Sequence, residues 1–223
     1  RIVITNNLIG KLMKRILGII GATLLAITVS TASIAAGIGI GVTGNFTTLD
    51  TNGSETQRQT GTVANASISE DVAIPELFME WTADNNFALG LSYVPVQELG
   101  SSSRTDTDLA TATNTASAEL DNMYRLYVDV PLFYGTYVTG GISNTTIVTT
   151  ETLNTGSSYE DQNVMGYSLG LGLKGMLGGS NWYYKAEYLW AEYDSYDDTT
   201  ASGNRVTADT ESTSAKLSLA YQF

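Results

Sequence analysis

From about residue 36 onward the chain alternates apolar and polar residues with a period of two, the pattern of strands that present different faces to different surroundings. No run of helical period interrupts it. Eight strands are predicted, at 37–47, 74–83, 87–98, 119–131, 134–150, 163–176, 182–196 and 210–223. Their connections alternate in length. Asp84-Asn85-Asn86, the Pro131–Phe133 bend and Leu177–Asn181 are short. The segments 48–73, 99–118, 151–162 and 197–209 are long and rich in Thr, Ser, Asn and Asp. The Ala110–Ala118 run inside the second of these is low in complexity and is expected to be a mobile loop. An even number of antiparallel strands with short turns at one end and long loops at the other predicts an all-β, up-and-down transmembrane β-barrel.

The two faces of each strand sharpen this reading. Ala215, Leu217, Leu219, Tyr221 and Phe223 share one face of the last strand, opposite Ser214, Lys216, Ser218 and Gln222. Leu169 and Leu171 oppose Gly170 and Gly172, and Tyr188 and Trp190 oppose Lys185 and Glu187. A soluble barrel with its apolar face inward gives the same alternation. The aromatic residues favour the membrane. Trp81, Phe87, Trp182 and Tyr184 lie beside short turns, whereas Trp190 lies toward the long loops. Between Trp182 and Trp190 a tilted strand climbs roughly 19 Å, so the two levels match the interfacial girdles flanking an apolar band.

The first 35 residues differ from the rest. Met13-Lys14-Arg15 opens a basic stretch, Ile16–Val29 is apolar over 14 residues, and Ser33 and Ala35 have cleavage-site spacing. This is the layout of a secretory signal peptide, with cleavage expected near Ala35, and Arg1–Leu12 is expected to precede the start at Met13. The organisation predicted is therefore a leader over 1–35 and a barrel over 36–223.

Composition removes most alternatives. The 223 residues include no cysteine and no histidine, which excludes disulfides, thiolate metal sites and histidine-based catalysis. The net charge of −12 conceals an asymmetry: four of the 11 basic residues precede Asp50, the first acidic one. Seven basic residues then face 23 acidic ones, and nothing resembles a nucleic-acid footprint.

The final strand, with Leu217, Leu219 and Tyr221 on one face and a terminal Phe223, resembles the carboxy-terminal signature of bacterial outer-membrane barrels. With Tyr137–Gly141 (YVTGG) and Ala186-Glu187-Tyr188, residues 36–223 resemble the small porin-superfamily group that includes the OmpA transmembrane domain and OmpX. The resemblance implies residence in the outer membrane of a Gram-negative bacterium, in contact with its lipid and lipopolysaccharide. It also implies delivery by periplasmic chaperones to the barrel-assembly machinery, which reads Leu217, Leu219, Tyr221 and Phe223. It implies no binding residue.

Candidate chemistry is sparse. Gly39-x-Gly41-x-x-Gly44 and Gly170-x-Gly172-x-x-Gly175 match a dinucleotide fingerprint, but each lies within a strand and no helix follows, so both are read as space for large lumen neighbours. Glu80, Arg125, Asp129, Lys174, Lys185, Glu187 and Lys216 fall on the polar face and are expected to pair as a salt-bridge network inside the lumen. Asp106, Asp108, Glu192, Asp194, Asp197 and Asp198 are acidic without calcium-loop spacing and are read as solvated. Enzyme activity is not expected for want of the usual base, and no cofactor is implied. The expected role is structural and surface-facing, with four acidic Thr/Ser-rich loops outside the cell and an extracellular partner as their target. The alternative is a narrow channel for small solutes. A conduit for hydrophobic compounds, as in OmpW-like barrels, conflicts with Lys174, Lys185 and Glu187 on the polar face.

Overall fold

The computed structural model describes residues 36–56, 58, 60–106, 112–152, 160–199 and 203–223. The predicted leader lies outside the described residues. Ten strand segments follow in order: β1 (Gly37–Thr56), β2 (Val63–Thr82), β3 (Ala88–Val94), β4 (Gln97–Asp106), β5 (Ala112–Pro131), β6 (Thr136–Thr152), β7 (Gln162–Met176), β8 (Trp182–Tyr193), β9 (Tyr196–Thr199) and β10 (Arg205–Gln222). β4 continues β3 past Pro95-Val96, and β9 continues β8 past Asp194-Ser195, so ten segments make eight staves. Every pairing is antiparallel, and β10 returns to β1 from Gly39↔Gln222 to Thr56↔Arg205, closing the cylinder.

The barrel is inverted relative to a soluble one. Ile40, Val42, Leu77, Met79, Leu169 and Leu171 point outward and are each more than half exposed, whereas Glu80 and Lys185 are 0% and 3% exposed inside. In water such a skin would forgo about 1.5–3 kcal/mol per large apolar side chain; hydrocarbon covers it at no such cost. Closure leaves the backbone in this band without an open edge, as a bilayer requires.

Three short turns set the end nearest Gly37. Asn86 takes φ 64° in the first, a conformation asparagine tolerates. Tyr134 takes φ 52° beside Gly135 in the second, and Gly178-Gly179 supply the third.

The opposite end departs from expectation. Much of 48–73, 99–118 and 197–209, read as loop from the sequence, is strand: β1 runs on to Thr56, β2 begins at Val63, and β5 begins at Ala112 inside the low-complexity run. The cause lies in hydroxyl pairs across the β1–β10 ladder. Thr51 meets Thr210 at 2.9 Å and Ser54 meets Thr207 at 2.9 Å, continuing the rungs Thr43–Ser218 and Thr47–Ser214 below. Thr and Ser hold strands together by such pairs. Above the membrane both faces meet water, so no apolar alternation marks these extensions. The strands predicted at 87–98 and 182–196 are each broken once, at Pro95-Val96 and at Asp194-Ser195.

Candidate functional site

The polar lumen is centred on Glu80. Phe78, Glu80 and Thr82 project inward from β2, and the β1–β2–β3 ladders bring them opposite β7 and β8. Four donors converge on the Glu80 carboxylate: Lys174, Lys185 at 2.8 Å, the Tyr127 hydroxyl at 3.1 Å and the Tyr183 hydroxyl at 3.2 Å. Lys174 also donates to Thr82 at 3.1 Å. Lys185 donates a second bond to Asp129 at 2.7 Å and lies 3.6 Å from Glu187. The rings of Tyr127, Tyr137 and Phe78 surround its ammonium at 4.8, 5.2 and 5.6 Å. A buried ammonium is tolerable with this combination of carboxylates and ring faces.

A second tier lies above. Lys216 pairs with Glu76 at 2.6 Å. Arg125 is placed differently from the ion pair the sequence suggested: its Nε donates to Ser168 at 3.0 Å, an Nη donates to Thr139 at 3.4 Å, and the guanidinium lies 4.8 Å from the Tyr127 ring. Hydroxyls and a ring face hold it. Glu187 is likewise peripheral. Its Oε1, the Asp129 Oδ1 and the Tyr137 hydroxyl have no hydrogen-bond partner among the described residues. Four carboxylates (Glu76, Glu80, Asp129, Glu187) therefore balance four cations (Arg125, Lys174, Lys185, Lys216) in the lumen.

Glu76, Tyr127 and Tyr183 were not singled out as lumen partners in the sequence, and Tyr137 entered only through the YVTGG resemblance, although Glu76 shares the parity of Glu80 on the same strand. The tyrosines need room that only glycine leaves. A Cβ at Gly39, Gly90 or Gly172 would collide with the ring of Tyr183, Tyr127 or Tyr137 respectively. Two of these glycines belong to the dinucleotide-like matches; both lie within strands, and no helix occurs among the described residues.

The bore is narrow at this level. A cavity of about 10 Å³, lined by Glu76, Arg125, Tyr127, Lys185 and Glu187 among others, is about the size of one water. Above it Ile74, Val94, Leu120 and Met123 pack into an apolar layer, all at most 8% exposed.

Of the girdle residues, Trp81, Trp182 and Trp190 face outward, between 42% and 50% exposed. Phe87 and Tyr184 are half-buried, the latter opposite Leu219. Trp182, Tyr221 and Phe223 form a run of edge-on rings with centroids 5.4 and 5.0 Å apart, and Leu217 and Leu219 continue the same outward face upward. Of the acidic residues at the far end, Asp197 pairs with Arg205 at 2.5 Å, and Asp108 lies outside the described residues. No acidic group of metal-binding arrangement occurs among the described residues.

No family model and no curated protein matches the chain. Solved structures do. The outer membrane protein OprG from Pseudomonas aeruginosa is 13% identical, with 85% of this chain and 97% of that one covered at a TM-score of 0.52. Ail, the attachment invasion locus protein of Yersinia pestis, is 10% identical over 84% and 99% of the two chains, with a TM-score of 0.39. The outer membrane protease OmpT from Escherichia coli is 11% identical over 87% and 100%, with a TM-score of 0.45. With its apolar skin, polar lumen and closed ladder, the chain has the fold of the small bacterial outer-membrane β-barrels.

Proposed function

We propose that this protein is an integral outer-membrane barrel that anchors an acidic, hydroxyl-rich set of β-hairpins outside the cell, and that its lumen is a structural plug. The observation that carries the reading is the neutral lumen network. Each ammonium is bonded to a buried carboxylate, the guanidinium is bonded to hydroxyls, and the bore narrows to a water-sized cavity beneath an apolar layer. A solute-conducting lumen needs a continuous wet path, whereas ion pairs this buried have exchanged water for each other. The other features agree. Hydroxyl rungs such as Thr51–Thr210 stiffen the hairpins, and Thr/Ser surfaces hydrate well while presenting regular backbone for contact.

The test has two arms. The refolded protein is placed in planar bilayers and its currents are recorded; a plug gives no stepwise conductance above the lipid background. In parallel, intact cells expressing a Ser67→Cys variant are treated with a membrane-impermeant maleimide. Labelling places the β1–β2 hairpin outside. Steady single-channel currents would transfer the assignment to a narrow channel.

A further inference from the structure

β2 pairs with β3 only from Leu77↔Tyr93 to Thr82↔Ala88. Extending that register by two residues sets Pro75 against Pro95, and the ladder stops at that point. Neither residue has an N–H to donate, so two of the chain's three prolines meet where hydrogen bonding between these staves ends. Beyond the break, β4 pairs with β5 and not with β2. Residues 63–74 of β2 are thus bonded to β1 on one side and to no described strand on the other. They form the free edge of a sheet ordered β9-β10-β1-β2 above the apolar band.

Exposed edges in natural sheets are blunted by Lys, Pro or a bulge. Val63–Ser69 (VANASIS) contains no charge and no proline, and its register against β1 is unbroken. Val63 and Ile68 are 55% and 57% exposed. The electrostatics select the partner. Of the 22 acidic residues among those described, four line the lumen and Asp84 sits in a short turn; the other seventeen belong to the long-hairpin end, against Arg58, Arg104 and Arg205. Glu70 and Asp71 lie at the base of the free edge itself, and Asp50 is opposite Ser69 on β1.

We infer that this edge is a strand-addition site for an extended cationic segment of a partner polypeptide. The inference rests on the reading that the long hairpins face the outside. Backbone donors and acceptors of β2 supply the ladder, the alternating side chains of the incoming strand pack beside Ile68, and the carboxylates attract its Lys or Arg side chains.

The experiment uses the full chain refolded in detergent micelles and a fluorescein-labelled peptide of alternating Lys and Val, about eight residues long. The comparison peptide alternates Lys and Pro; its charge is equal, but its prolines cannot donate ladder bonds. Saturable binding of the first, at least about tenfold tighter than the second, with slowed amide exchange confined to 63–74, is the result expected. Ser67→Pro and Ile68→Pro, made separately and checked for heat-modifiable gel mobility, probe the two alternating amide directions. One of them removes an edge donor and lowers affinity about tenfold. Equal binding of both peptides, or binding without protection of 63–74, would show that the acidic field acts alone and overturns the edge site. The thiol labelling of Ser67→Cys on intact cells is read separately: its failure removes the external location while leaving the peptide result intact.

Discussion

Lys185 on β8 and Glu80 on β2 bond at 2.8 Å across the lumen, joining residues 105 positions apart in the chain. Because Lys185 also bonds to Asp129, replacing it leaves two buried carboxylates short of a partner. Lys185→Met is expected to destabilise the barrel by about 3–5 kcal/mol, the usual cost of stranding a buried charge. Urea unfolding in lipid vesicles measures this. Bilayer recordings on the same variant should stay silent; enlarged currents would count against the plug.

Glu76 and Lys216 pair at 2.6 Å, one step above the Glu80 cluster, with Ser92 also bonded to Glu76 and the Arg125 charge nearby. Each single change, Glu76→Leu or Lys216→Met, removes the other group's ion-pair partner, while the double change removes both charges together. The cycle should show that the double variant is more stable than either single one by about 1–3 kcal/mol. Additive losses would mean that water already reaches the pair.

Gly172 lies under the ring of Tyr137, and a Cβ there would strike it. Gly172→Ala is expected to cost about 1–3 kcal/mol through forced displacement of the ring. Adding Tyr137→Leu should recover part of that loss, since a shorter side chain clears the new methyl group. No recovery would place the cost in the backbone.

At the water-exposed end, Arg205 donates two hydrogen bonds to Asp197, at 2.8 and 2.5 Å. These bonds, reinforced by the positive charge, hold the Asp197 carboxyl below its ordinary value of 3.8. A depressed carboxyl stabilises the folded hairpin at pH above the ordinary value, and that contribution is lost as pH falls through the lowered one. The pair is exposed to solvent, so it is sensitive to salt. Titration of Asp197 by NMR should give a midpoint below 3.8 that returns toward it in 1 M salt or on Arg205→Ala. A midpoint unmoved by either change would show that the pair does not form in solution.

The membrane-crossing staves were legible because a bilayer imposes a strict rule on them: apolar outward, polar inward, every second residue. Residues such as Leu169 and Lys174 declare their faces by type. The eight-stave count, the closed ladder and the inward parity of Lys185 and Glu187 follow from that rule. The hairpin extensions had no such rule to obey, because Thr51 and Ser54 meet water on one side and a hydroxyl partner on the other. Their pairing depends on register between strands more than 150 residues apart, as Thr51 and Thr210 show, and no local pattern encodes it. In the lumen, charged residues were legible one by one and their partners were not. Arg125 reaches Ser168 and Thr139, and the tyrosines enter by lying over glycines on adjacent strands. The apolar layer of Ile74, Val94, Leu120 and Met123 is assembled from three segments, two of them short of full strand regularity: β3 ends at Val94, and β5 shifts register between Asp121 and Tyr124.

The β1–β10 ladder, which runs from Gly39↔Gln222 to Thr56↔Arg205, has a consequence for how such a chain is made. The first stave to be synthesised waits for the last, and until then the growing sheet carries two unsatisfied flanks that no hydrocarbon can accept. A chain shortened from its carboxy-terminal side loses its seal as well as its final stave, and it remains a sticky ribbon however many internal contacts it keeps. Completion is therefore inspected by geometry: only a finished chain has nowhere left for another strand to attach within the membrane.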